Sequence, residues 1–241
     1  MREMSNSIIE TRSTVTDYTK LNAQNKKLNE QIDSLLNLHK SSYASIESKF
    51  VKIQDTIFQQ QYRFLNAKVI NSTTNLQNNY ITLNKGTRAG VGVDMGVIGP
   101  QGIVGKIVQV SENYSTAMSV LHRKFTVAVQ SKESGHNGFV NWGTNSINTV
   151  TVEDVARHAA IQKGDLFITR GSGGTFPAGI KVGEVSAVRD KEGSNYHDIE
   201  VSLSTDLESL GYVQIVMDLM RHEQLDLEEL TEEEHNADSD N

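Results

Sequence analysis

The stretch "IQKGDLFITRGSGGTFPAGIKVGEVSAV", Ile161–Val188, has a shorter counterpart upstream, "VDMGVIGPQGIVGKIVQV", Val93–Val110. Each begins with an apolar residue, two polar or turn-like residues and a glycine, Val93 to Gly96 and Ile161 to Gly164. A short apolar run follows, then a turn holding a proline, Pro100 or Pro177. A Gly-Ile pair comes next (Gly102-Ile103, Gly179-Ile180), and a further glycine, Gly105 or Gly183, opens an alternating strand. Two copies of one strand–turn–strand unit predict two related β substructures. Glycine suits positions with positive φ or with close backbone approach. Gly102, Gly105, Gly171, Gly173, Gly174, Gly179 and Gly183 are therefore read as structural turn glycines, and Pro177 as fixing the exit from the longer turn.

The surrounding sequence supports a β reading from about Leu65 onward. Short runs such as "LNAKVI", "FTVAVQ", "INTVTV", "HDIEVSL" and "YVQIVM" alternate with Gly, Asn and Ser clusters. Strands at roughly ten-residue spacing point to barrels or sandwiches rather than βαβ units. Trp142, the lone tryptophan, reads as a core or edge anchor.

The N-terminal part has a different texture. All 18 glycines and both prolines lie at or after Gly86, so the first 85 residues lack the strongest helix breakers. Tyr18, Leu21, Asn25, Leu28, Ile32 and Leu35 step by threes and fours, as do Tyr43, Ile46, Phe50, Ile53 and Ile57. These positions form a candidate dimerisation seam of heptad type, its two runs offset by a four-residue stutter. Asn25 at a core position favours one register at some cost in stability. The narrow seam and polar flanks favour self-association; the rival is an amphipathic helix folded back on its own β domain. Helix over residues 5–62 would make a rod of about 85 Å at ~1.5 Å per residue.

Composition excludes several classes of function. Without cysteine there is no thiol catalysis, disulfide or thiolate metal site. The net charge of −7 arises from eight acidic residues between Asp226 and Asp240, and the body is nearly neutral. No concentrated basic face offers itself to nucleic acid. The acidic end reads as a disordered, solvated tail. No metal or cofactor motif is found. Ser172 precedes Gly-Gly as a protease nucleophile does, but Gly171 stands where an acidic residue belongs. His122 in "SVLHRKF" also lacks the setting of a catalytic base. A P-loop needs a Lys after its glycines, and none follows.

The order of parts is more specific: a glycine-free heptad region, then Gly86–Gly90, Gly102–Val110 and Gly164–Val185, then "DIEVSLSTDLESLGYVQIV". Over roughly Ile8 to Val216 this resembles the extracytoplasmic part of the MreC family of bacterial rod-shape-determining proteins. Two details depart from the family pattern: Thr169-Arg170-Gly171 replaces Thr-Ser-Gly, and no proline stands near Ser202–Ser204. The resemblance implies a mainly β fold with a long N-terminal α-helix, a coiled coil followed by two small β-barrels. The expected division is 1–64 coiled-coil helix, 65–115 and 183–220 a discontinuous first barrel, 116–182 an inserted second barrel, and 221–241 acidic tail. It implies a non-enzymatic, dimeric scaffold of the cell-elongation machinery for peptidoglycan synthesis. The implied partners are a class B penicillin-binding transpeptidase and the membrane protein MreD, with self-assembly through the β domains in some members. It also implies a periplasmic location with a membrane anchor upstream of the heptads, expected to have been removed from this chain. The alternatives are a periplasmic adaptor of a transport complex, disfavoured by a single N-terminal heptad stretch, and the serine hydrolase above.

Overall fold

The computed structural model describes residues 23–37, 43–45, 58–143, 146–190, 195–221, 223–224 and 226–227. A helix, α1, spans 23–37. Two short strands follow, β1 (Tyr43–Ser45) and β2 (Phe58–Gln60), paired antiparallel with Tyr43 opposite Gln60. The expected helix over 1–64 is therefore interrupted, and Tyr43 lies on a strand rather than on a helical seam. Tyr18, Leu21, Ile46, Phe50, Ile53 and Ile57 lie outside the described residues; Asn25, Leu28, Ile32 and Leu35 are on α1.

Two closed six-stranded barrels follow. The first contains β3 (Tyr62–Ser72), β4 (Asn78–Leu83), β5 (Gly96–Gly99), β6 (Gly102–Val110), β7 (Ser115–His122) and, from the end of the chain, β14 (Tyr212–Asp218). The second contains β8 (Val127–Ser131), β9 (Asn137–Asn141), β10 (Thr149–Ala156), β11 (Leu166–Thr169), β12 (Lys181–Asp190) and β13 (Tyr196–Leu203). The observed boundaries thus differ from those expected. Residues 115–122 belong to the first barrel because β7 closes it between β4 and β6. The region 181–203 belongs to the second because β12 pairs with both β11 and β13. Residues 221, 223, 224, 226 and 227, expected in the tail, are helical, and the rest of the acidic stretch lies outside the described residues.

Period-two alternation builds both interiors. Ile81 and Leu83 on β4, Ile107 on β6, Ala117 on β7 and Val213 and Ile215 on β14 are fully buried in the first barrel. Val129, Val140, Val150, Val152, Phe167, Ile199 and Val201 fill the second. Trp142, just after β9, is buried as an anchor, and its Nε1 donates to the Ser146 carbonyl at 2.8 Å.

The barrels share one neighbour order. Walking round the first gives β14-β3-β4-β7-β6-β5, and round the second β8-β9-β10-β13-β12-β11. Each strand of one has a counterpart in the other if β14 is matched to β8. The two barrels are circular permutants: β14, the last strand of the first along the chain, matches β8, the first strand of the second, which is inserted between β7 and β14. The sequence repeat falls on equivalent hairpins, β5–β6 and β11–β12. A Cβ on Gly105 would lie 2.2 Å from the Met118 carbonyl oxygen, and one on Gly183 would lie 2.0 Å from that of Ser202. The hydrogen bonds shift the start of the repeat by two residues. Asp94 N donates to Ile107 O, and Ile107 N to Met95 O; Gly164 N donates to Val185 O, and Val185 N to Asp165 O. Asp94 thus corresponds to Gly164, and both have positive φ, 66° and 95°.

Candidate functional site

Three features control what this chain can present: the turn after β11, the seat of α1, and the outward face of α1. Thr169, fully buried, organises the first. Its Oγ1 donates to the Pro177 carbonyl at 2.6 Å and accepts from Ile180 N at 2.9 Å. Gly171, Gly173, Gly174 and Gly179 all have φ between 64° and 92°, a conformation that Cβ disfavours. The excursion so formed lies against the first barrel. Phe176 is buried there, and a Cβ on Gly96 of β5 would meet the Thr175 carbonyl oxygen at 2.3 Å and the Phe176 ring at 2.8 Å. Arg221, just beyond β14, donates from Nη1 to the Gly173 carbonyl at 2.9 Å, and its Nη2 lies 3.8 Å from Asp94 Oδ2. Asp94 is also 3.2 Å from Lys106 Nζ. A second contact brings Gly102 of β6 against the Lys181 carbonyl, 2.4 Å from where a Cβ would be. The glycine-rich turn is thus an inter-barrel clasp, and Ser172 is exposed on its rim.

The seat of α1 is polar. Along 62–68, one edge of β3 pairs with β14, while β4 covers the other edge only from Val69 onward. Side chains fill the gap. Phe64 N donates to Asn37 Oδ1 at 2.8 Å, and Asn37 Nδ2 donates back to Phe64 O at 3.2 Å. Asn66 N donates to Asp33 Oδ2 at 2.8 Å, and Lys68 N to Asn84 Oδ1 at 2.7 Å. Asp33 and Asn37, one turn apart, therefore act as a surrogate strand that closes a free edge. Leu36 adds an apolar contact to the core. Burial pushes the Asp33 carboxyl up to about 6, against the pull of the Asn66 backbone hydrogen bond. Gln214, buried on β14, faces this carboxyl.

The seam residues lie elsewhere on the helix. Leu28 and Leu35 are 55% and 68% exposed, and Asn25 is exposed; Ile32 is half-buried, between the two faces. At 3.6 residues per turn, the seam and the docked face are rotated by about 100° from each other. The helix therefore contacts its own barrel, as the rival reading required, and leaves Leu28 and Leu35 exposed. Sequence reasoning missed Asp33, Asn37, Phe176 and Arg221. Gln214 did leave a signal, a polar residue at the centre of the apolar run "YVQIVM".

Residues 69–217, which make up most of both barrels, match the family model "Rod shape-determining protein MreC, barrel core". The chain belongs to the MreC family. It is 27% identical over 206 residues to the cell shape-determining protein MreC of Haemophilus influenzae, a match covering 84% of this chain and 58% of that protein. The crystal structure of MreC from Pseudomonas aeruginosa superposes with a TM-score of 0.60 at 25% identity, covering 64% of this chain and 99% of that one. A solved complex between a penicillin-binding protein (PBP2) and MreC from Helicobacter pylori shares the fold, with a TM-score of 0.53 at 18% identity, covering 64% of this chain and 98% of the matched one. MreC proteins are shape-determining proteins by description, and the two-barrel core of this family member carries the match to the family model. Among the described residues no helix is long and apolar enough to cross a membrane.

Proposed function

We propose that this chain is a non-catalytic, extracytoplasmic scaffold that organises cell-wall elongation and so maintains cell shape. The observation that carries this reading is the MreC barrel core itself, matched over residues 69–217. The partner class comes from the relative solved in complex with a penicillin-binding protein. For this chain the corresponding partner is the class B transpeptidase of peptidoglycan elongation, with MreD as the membrane component. An anchor upstream of the heptads would hold the assembly at the inner membrane.

Two copies pair through α1 in this reading. The exposed Leu28 and Leu35, with Asn25 setting the register, supply the seam. Self-assembly through the barrels is a second route by which copies meet. A scaffold activates an enzyme by binding one of its states better and shifting the population toward it. A clasped pair of barrels suits that task, because a rigid surface loses little freedom on binding.

Titration calorimetry against the extracytoplasmic region of the same species' elongation transpeptidase tests the reading. Saturable binding is expected, weakened in Leu28→Asp through lost bivalency. Absence of binding by a folded, dimeric chain up to high micromolar concentration would overturn the transpeptidase assignment.

A further inference from the structure

We propose that the contact between α1 and the first barrel is a proton-sensitive joint, in which Asp33 holds the helix to the free edge of β3 more firmly when its carboxyl is protonated. The geometry carries this. The contact is mostly polar: Asp33 and Asn37 supply its hydrogen bonds, and Leu36 its apolar part. Of the two Asp33 oxygens, Oδ2 accepts from Asn66 N, while Oδ1 is buried without a hydrogen-bond partner. Nδ2 of Asn66 and Nε2 of Gln214, residues opposite each other in the β3–β14 register, are also buried without one. Ionised, the carboxyl gives up water in return for the Asn66 N hydrogen bond and the pull of the Gln214 amide, and the loss of water outweighs both.

Among the described residues Asp33 makes no ion pair. Glu30, one turn earlier on α1, disfavours the carboxylate; the Asn66 backbone N–H, the Gln214 amide and, more weakly, Lys85 after β4 favour it. The carboxyl titrates near 6 in the docked helix, above its ordinary value of 3.8. The sign follows from linkage. A group whose pKa is raised by docking takes up a proton as the joint forms, so docking is strongest below the ordinary value and weakens as pH rises through about 6.

The consequence concerns presentation. Since α1 carries Leu28 and Leu35 on its other face, the strength of this joint sets how firmly that face is held relative to the barrels. The inference is independent of which partner occupies the seam.

The absence of cysteine makes the test direct. Gln24→Cys on α1 and Arg123→Cys beyond β7 carry a donor and an acceptor dye for single-molecule energy transfer, with excess unlabelled chain. In the wild-type background the ratio of docked to undocked molecules is expected to rise several-fold, up to about tenfold, between pH 7.5 and pH 5.0. Asp33→Asn, neutral at both pH values, should abolish this dependence, whereas Asn37→Ala should lower the docked fraction throughout and keep it. A wild-type ratio constant across this range, or an Asp33→Asn chain with the wild-type slope, overturns the proposal.

Discussion

Arg221 and Gly173, 48 residues apart, are joined by a hydrogen bond of 2.9 Å from the guanidinium to the backbone carbonyl. This contact ties the end of the first barrel to the tip of the second barrel's glycine-rich turn. The Arg221 side chain is 21% exposed, so the bond is partly shielded from water. Arg221→Ala should cost about 1.5 kcal/mol, the lower end for a hydrogen bond to a charged group. Limited proteolysis is the sensitive readout: cleavage at Gly171–Gly174 should accelerate several-fold. Arg221→Lys should fall between the two, since an ammonium cannot reach the Gly173 carbonyl and Asp94 with a planar fork. Unchanged cleavage in Arg221→Ala would remove this residue from the clasp.

Gly96 probes the same junction from the other side. A Cβ there would overlap the Thr175 carbonyl and the Phe176 ring, and neither is the far end of a flexible side chain. Gly96→Ala should therefore cost about 3 kcal/mol, as overpacking does when backbone must move. Gly173 is the control. It has φ of 84° and open space around its Cβ position, so Gly173→Ala should cost only about 1 kcal/mol from the left-handed backbone alone. Thermal midpoints that rank the two variants in the opposite order would contradict the close approach.

The barrel equivalence predicts paired behaviour at Gly105 and Gly183. Each lies against a backbone carbonyl of the next strand, so alanine at either should cost its own barrel about 3 kcal/mol. Trp142 is the sole tryptophan and sits in the second barrel, so its fluorescence reports that barrel alone. Gly183→Ala should move the fluorescence transition to lower urea. Gly105→Ala should instead separate the fluorescence and circular-dichroism transitions, with fluorescence lagging. Coincident transitions in both variants would mean that the barrels unfold as one unit.

How far the sequence revealed this architecture depended on the range of the interaction. The repeat was legible because Gly105 and Gly183 meet the same local need, a close approach to the carbonyl of the next strand. Its start was misaligned because Asp94 adopts the positive φ that glycine supplies at Gly164, and residue identity does not display φ. The seam positions on α1 were visible as a heptad, but the strand at Tyr43 was not, since Tyr fits the seam spacing and a strand equally well. The clasp and the helix seat were invisible for a different reason. Arg221–Gly173 and Asp33–Asn66 join segments 48 and 33 residues apart, and each uses a side chain on one partner and backbone on the other. Backbone acceptors and donors leave no mark in a sequence.

His122 offers the last prediction. It ends β7, is buried, and stacks edge-on against Tyr80 with ring centroids 5.0 Å apart. Lys124 N donates to its Nδ1 at 2.9 Å, which leaves the ring proton on Nε2, 3.1 Å from the Tyr80 hydroxyl. The imidazole is thus held neutral in one tautomer. Burial lowers its pKa, and nearby Lys124 lowers it further. A histidine whose folded pKa is depressed contributes stability that is fully present above its unfolded value of about 6.5 and is lost as pH falls below it, because the unfolded chain then binds the proton. The stability advantage of the wild type over His122→Gln, measured by urea midpoint, should shrink between pH 7.5 and pH 5.5. Taking the difference between these two proteins cancels the opposite contribution of Asp33, which both retain. Nitrogen chemical shifts of the ring should show the Nε2–H tautomer at pH 7. An advantage independent of pH, or an Nδ1–H signature, would contradict the hydrogen-bond assignment at His122.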